Sequence, residues 1–159
     1  MSASRRARSN IRVISDADAL AANPVALNGG TFDLRSNVSV TWSTGAFTLG
    51  GNATLNVANN GSGSSQVITL PVIGVSGNRT LTLTSGNSFI PLLGGLALAG
   101  DLTVSNAVTA RSNGISQDAS PRKLLKAGTG QLELEAAGTH SGGTEILAGT
   151  VLVEHADAL

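Results

Sequence analysis

The chain has no cysteine and no tyrosine, and only one tryptophan and three phenylalanines among its 159 residues. Without cysteine it is neither a disulfide scaffold nor a Cys-ligated zinc protein. Charged residues are 13%, about half the usual share. Ten Lys plus Arg balance ten Asp plus Glu, so there is no basic excess of the kind that drives nucleic-acid binding. There is also no long apolar run. The longest mainly apolar stretch, Phe89 to Gly100, contains Pro91, Gly94 and Gly95 and is far short of the roughly 20 residues a membrane helix needs. The opening M-S-A-S-R-R-A-R-S-N carries positive charge but no apolar region after it, so it does not read as a signal peptide. The triplet Ser4-Arg5-Arg6 lacks the apolar stretch of a twin-arginine signal for the same reason.

What remains is 41% hydrophobic, enough to build a core, and rich in turn formers. Gly, Ser, Thr and Asn make up roughly 40% of the chain. The apolar pattern has a period of two almost throughout. It predicts strands at Phe32–Leu34, Val38–Trp42, Phe47–Leu49, Thr54–Val57, Val67–Leu70, Thr80–Thr84, Leu96–Leu98, Leu102–Val104, Gln131–Glu135, Glu145–Leu147 and Val151–Val153. Alternation of this kind turns one face to a core and the other to water. Turn signals such as Asn28-Gly29-Gly30, Asn59-Asn60-Gly61 and Ser141-Gly142-Gly143 lie between these strands. The one helical candidate, Asp16 to Ala22, is too short to stand alone. The polar stretch Arg111 to Arg122 reads as a surface loop or a change of coil.

Many short strands suit a sandwich, a barrel or a solenoid. Internal echoes favour the solenoid, in which every coil buries the same columns against its neighbours. Residues 13–20, V-I-S-D-A-D-A-L, are echoed by residues 152–159, L-V-E-H-A-D-A-L. This predicts that both ends of the chain occupy the same kind of element. Charge is uneven: Arg5, Arg6, Arg8 and Arg12 crowd the start, and Glu133, Glu135, Glu145 and Glu154 crowd the end. Solvated faces account for this, and head-to-tail attraction between molecules is the sharper reading.

The most specific segment is Lys123 to Val153, K-L-L-K-A-G-T-G-Q-L-E-L-E-A-A-G-T-H-S-G-G-T-E-I-L-A-G-T-V-L-V. It resembles the autotransporter-associated β-strand repeat of large bacterial surface proteins. The matching positions are Leu124 or Leu125, Lys126, Gly128, Gly130, Leu132, Leu134, Gly143, Thr144, Ile146, Gly149, Thr150 and Leu152. His140 stands where the repeat usually has Tyr, and Val151 where Leu is common. Weaker similarity covers Ile11 to Leu34. The resemblance implies an all-β fold, a right-handed parallel β-helix, in an exported passenger region at the cell surface. It also implies a role in passenger folding and transport, with no catalytic residues. The chain is expected to be a fragment, incomplete at both ends: residues 1–10 form a basic polar tail and 11–159 a solenoid segment. In that solenoid Leu132 and Leu134 should point inward and Glu133 and Glu135 outward. Thr144, Ile146 and Leu152 should extend the same stack, around an interior too narrow for many aromatics.

Chemistry-bearing groups are sparse. His140 adjoins Ser141, and His155 lies two residues before Asp157. Neighbours on a strand face opposite ways, so a His140–Ser141 pair is disfavoured, and both imidazoles read as surface groups. Two His and no Cys offer little to zinc. A carbohydrate-active site would need paired carboxylates, for which Asp16 with Asp18 and Glu133 with Glu135 are the candidates. They read as solvated faces. The run Thr80-Leu81-Thr82-Leu83-Thr84 resembles one row of an ice-binding array, but a single coil is not an array. Asn37, Asn52, Asn60 and Asn78 begin N-x-S/T sequons, about as many as this composition gives by chance. The chain thus reads as a non-enzyme without catalytic, cofactor-binding or metal-ligating residues. Its expected partners are the neighbouring coils of a longer passenger and host or cell-surface glycans or proteins. The alternative is a glycan-binding or carbohydrate-active β-helix module.

Overall fold

The computed structural model describes the backbone at 11–14, and residues 20 and 23–159 in full. The basic tail 1–10, the helical candidate from Asp16 and the Asp16–Asp18 pair lie outside the described residues. Among the described residues, eighteen strands follow one another in coils. β1 (Ile11–Ile14) and β2 (Val25–Leu27) come first, then β3 (Thr31–Arg35), β4 (Val40–Thr41) and β5 (Phe47–Leu49). The next coils hold β6 (Ala53–Ala58), β7 (Val67–Leu70) and β8 (Ile73–Ser76), then β9 (Arg79–Ser85), β10 (Ile90–Leu93) and β11 (Leu96–Ala99). β12 (Leu102–Asn106), β13 (Ala110–Ser112) and β14 (Ile115–Gln117) precede the last pairs, β15 (Leu124–Ala127) with β16 (Gln131–Leu134) and β17 (Thr144–Ile146) with β18 (Thr150–Val153).

These strands stack into three parallel sheets, a β-solenoid of about six turns. The first sheet runs β1-β3-β6-β9-β12-β15-β17, the second β18-β16-β13-β10-β7-β4 and the third β14-β11-β8-β5-β2. Along the first sheet the partners Ile11–Phe32, Thr31–Thr54, Ala53–Leu81, Arg79–Leu102, Leu102–Leu124 and Leu124–Thr144 are 21, 23, 28, 23, 22 and 20 residues apart. The longest interval carries the extra residues of the Asn59 to Gln66 loop.

Register explains the core. Phe32, Leu55 and Leu83 form one inward column, and Ala53, Leu81 and Val104 another. All six are buried. Strand residues between them face out, as period two requires. Val25, Phe47, Ile73, Leu96 and Ile115 make the corresponding column of the third sheet, also buried.

Several expectations need correcting. The echo between residues 13–20 and 152–159 does not mark one element: Val13 is in β1 of the first sheet, Leu152 in β18 of the second. The stretch Arg111 to Arg122 is not only loop. It contains the end of β13 and all of β14, a strand with a single buried apolar residue, Ile115. The interior accepts every aromatic the chain has. Trp42, Phe32, Phe47 and Phe89 are all buried, and Phe32 meets Phe47 edge-to-face with centroids 5.7 Å apart. Pro91 sits inside β10, and the ladder tolerates it because pairing with β13 begins only at Leu92.

Leu55 is fully buried between Phe32 and Leu83, whereas its neighbour Thr54 faces out. Leu55→Ala should therefore cost about 2–5 kcal/mol, and Thr54→Ala within about 0.5 kcal/mol. Urea denaturation followed by the fluorescence of Trp42, the only tryptophan, measures both. Equal costs would show that the register is wrong.

Candidate functional site

Three regions bring polar groups together. The first is the outward face of the first sheet. Thr31, Thr54, Thr82 and Ser105 occupy one column, and Thr80 with Thr103 a second. Asp33, Asn56 and Thr84 form a third, linked by hydrogen bonds. Arg35 Nε donates to Asp33 at 3.0 Å, Asn56 Nδ2 to Asp33 Oδ1 at 2.6 Å and Thr84 Oγ1 to Asn56 Oδ1 at 2.8 Å. The run from Thr80 to Thr84 is thus not one isolated row, because its neighbours on the adjacent coils are polar as well. Strands in a sheet are about 4.8 Å apart, and same-face residues along a strand about 7 Å. The result is a regular grid of hydroxyl and amide groups.

Asn and Asp side chains also link the coils at the entry to this sheet. Asn52 Oδ1 accepts from Thr80 N, Asn78 Oδ1 from Asp101 N and Asp101 Oδ1 from Lys123 N, each at 2.9 Å. Past the exit of the same sheet, after β3 and β6, Asn37 Oδ1 accepts from Asn60 N at 3.0 Å and Ser62 N at 3.1 Å. Three of the four sequon asparagines therefore serve the fold, since their amide oxygens satisfy backbone donors of the neighbouring coil. That role accounts for Asn at these positions.

The second region is the pair Glu133 and Glu135. Glu133 is not a solvated group. It is only 8% exposed and Arg111 Nε lies 2.8 Å from its carboxylate, with Arg111 Nη1 3.5 Å from Glu135. One guanidinium on the adjacent strand bridges both acids, which ties them to the fold rather than leaving them for acid–base work. His155, by contrast, is a surface group as expected, with Nδ1 accepting from Asp157 N at 3.2 Å.

The third region is the final coil, where the repeat-like segment lies. Leu124 faces inward and Leu125 outward. Lys126 takes the next inward place, directly in the column of Ala53, Leu81 and Val104, and is fully buried. Its ammonium donates to the carbonyls of Ala127 at 2.6 Å, Gly128 at 2.9 Å and Ala148 at 3.3 Å. Burial nonetheless pulls the amine below its ordinary pKa. The glycines of this segment make room for the coils. A Cβ on Gly130 would collide with the backbone of Val108, and Gly149, at φ 76°, would drive one into the carbonyls of Gly128 and Gly130. Leu132 and Leu134 are buried as expected. Thr144 and Ile146 extend the Leu124–Lys126 columns. Leu152 does not extend an inward stack: it pairs with Glu133 on the outer side, and Val151 and Val153 continue the columns of Leu132 and Leu134.

His140 is the other departure. It is 7% exposed, not a surface imidazole. Nε2 lies 3.0 Å from Thr144 Oγ1, and Nδ1 is buried with no hydrogen-bond partner. Burial lowers its pKa. Among the described residues no three His, Asp or Glu side chains come together as a metal site, and no helix is long and apolar enough to cross a membrane. Comparison with family models, with curated proteins and with solved structures finds no match in any of the three.

Two side chains test the final coil. Lys126→Met keeps the side-chain length but leaves carbonyls without their donor, so it should cost about 1–3 kcal/mol. Faster hydrogen exchange at 144–150 should accompany it, and unchanged exchange there would disprove the clasp. For His140 the unfolded chain takes up its proton near pH 6.5, and the folded chain at lower pH. The folded state binds fewer protons between those values, so stability falls as pH drops through about 6.5 until the folded value is passed. His140→Gln should flatten the difference in melting temperature between pH 7.5 and pH 5, measured by circular dichroism.

Proposed function

We propose that this chain is a structural and adhesive β-solenoid segment of an autotransporter-like bacterial surface protein, and that it supports passenger folding and export. The observation that carries this reading is the use to which the repeat-like residues are put. Lys126, Gly128, Gly130, Leu132, Leu134 and Gly149 all serve the stacking of one coil on the next. A segment built in this way does mechanical work. Each coil that forms buries its columns against the previous one, and a chain that folds coil by coil outside a pore resists sliding back through it. The adhesive part draws support from the outward grid around Thr54, Thr82 and Thr103, which offers many weak hydrogen-bonding groups at fixed spacing to hydroxyl-rich surfaces such as glycans.

The test places the chain between a signal peptide and an outer-membrane translocator barrel and measures protease access on intact cells. The wild-type segment should reach the surface. Leu134→Asp, which puts a carboxylate into a fully buried position, should be exported several-fold less. Equal export of the unfolded variant would show that folding of this segment plays no part.

A further inference from the structure

The outward face of the first sheet differs from the other two in its regularity. Thr31, Thr54, Thr82 and Ser105 stand in one column over four consecutive coils, and Thr80 and Thr103 stand in the next. All six are half-buried, as small side chains on a sheet face are. Among the described residues none of their hydroxyls makes a hydrogen bond to the protein, whereas Thr84 Oγ1 is engaged by Asn56 at 2.8 Å. Of the outward positions of β3, β6, β9 and β12, only Asp33 and Arg35 are charged, and they pair with each other at 3.0 Å. The second sheet instead sets Thr69, Leu92, Arg111 and Glu133 in one outward column. The third carries a single file of small side chains in which only Thr48 and Ser116 have hydroxyls. Neither repeats one polar group both along a strand and from coil to coil.

We propose that this face of the solenoid binds the surface of an ice crystal. The parallel ladder fixes hydroxyls about 4.8 Å apart from coil to coil and about 7 Å apart along a strand. Both spacings lie close to those at which water oxygens repeat on the prism faces of hexagonal ice. Each hydroxyl can therefore take a place in that lattice or hold a water that does. Thr suits the task, because its β-branched side chain has few χ1 rotamers to lose when the array is matched. A lone hydrogen bond to a dissolved molecule replaces one to water and gains little. A partner that meets all six hydroxyls at once turns their spacing into affinity. Charge agrees: ice carries none, and the face is neutral once Arg35 offsets Asp33. All four aromatic side chains are buried, so the face has no ring to stack on a sugar, and recognition rests on the spacing itself. The face lies wholly within β3 to β12, and ice binding there is independent of the passenger reading.

Slow growth of an ice front through a dilute solution of the 159-residue chain tests it. The chain should enter the ice rather than be swept ahead of it, as read by Trp42 fluorescence in the melted ice and in the remaining liquid. Thr82→Lys/Thr103→Lys, which sets two long cations into the array, should lower the fraction in ice about tenfold or more with an unchanged circular dichroism spectrum. Thr48→Lys/Ser116→Lys, on the third sheet, should enter ice as the wild type does. Where the first variant fails to fold, Thr82→Val keeps the side-chain shape, removes one hydroxyl and should still lower the fraction severalfold. Exclusion of the wild-type chain from ice overturns the proposal, and so does an equal loss in the third-sheet variant. Retention on a neutral polysaccharide through Thr82 and Thr103, with exclusion from ice, also overturns it and assigns the face to glycans.

Discussion

The structure depends on one constraint: every coil must return its backbone to the same register, so that a side chain comes to lie about 4.8 Å above its equivalent in the coil below. Once that register holds, a column such as Phe32, Leu55 and Leu83 excludes water by contact with itself. Corners must then carry residues that allow backbones to approach, which is why Gly130 packs on Val108 and why Asn52, Asn78 and Asp101 hand their side-chain oxygens to the next coil. Extra length cannot enter a column without breaking it, so it is extruded at a corner, as in the loop from Asn59 to Gln66.

The columns change character towards the last coils. Leu83 is followed by Asn106, whose Nδ2 donates to Val108 O at 2.6 Å and Gln131 O at 2.8 Å. Val104 is followed by Lys126. Each places a donor inside the solenoid where a corner leaves carbonyls without partners, and an ordinary aliphatic would leave those carbonyls unsatisfied. Lys126 bears a desolvation cost for this, visible as a depressed pKa, and fixes the corner from both sides. His140 has no such compensation at Nδ1, which is buried without a hydrogen-bond partner, so it closes no corner in the way Lys126 does.

Strands with two or more inward aliphatics separated by one polar residue were legible in the sequence. The predicted Phe47–Leu49 and Val67–Leu70 coincide with β5 and β7. Several of the strands that escaped have a small or apolar outward residue, although Leu96–Leu98 was legible with Ala97 outward. Val25-Ala26-Leu27 and Ile73-Gly74-Val75 do not alternate in hydropathy, although their inward and outward faces alternate in space. Ile115 alone marks β14, too little for a periodic signal. The repeat-like segment correctly put Leu132 and Leu134 in the core, yet hydropathy could not show that Lys126 points inward, because only the register above Val104 determines that. Nor could spacing show that Glu133 is buried: the Arg111 beside it comes from a strand 22 residues earlier, the length of one coil.

A fold built on columns separates its surfaces from its core. The outward positions of the first sheet are mostly Thr, Ser and Asn, whereas the third sheet shows Ala26, Thr48, Gly74, Ala97 and Ser116 in a single file of small side chains. Neither face is needed for the register beneath it, so each is free to meet a different surface. The ends are the opposite case. At β17 and β18 the core columns reach the surface at Ile146 and Val153, and the register that makes one coil fit the next also sets where a further strand would pair.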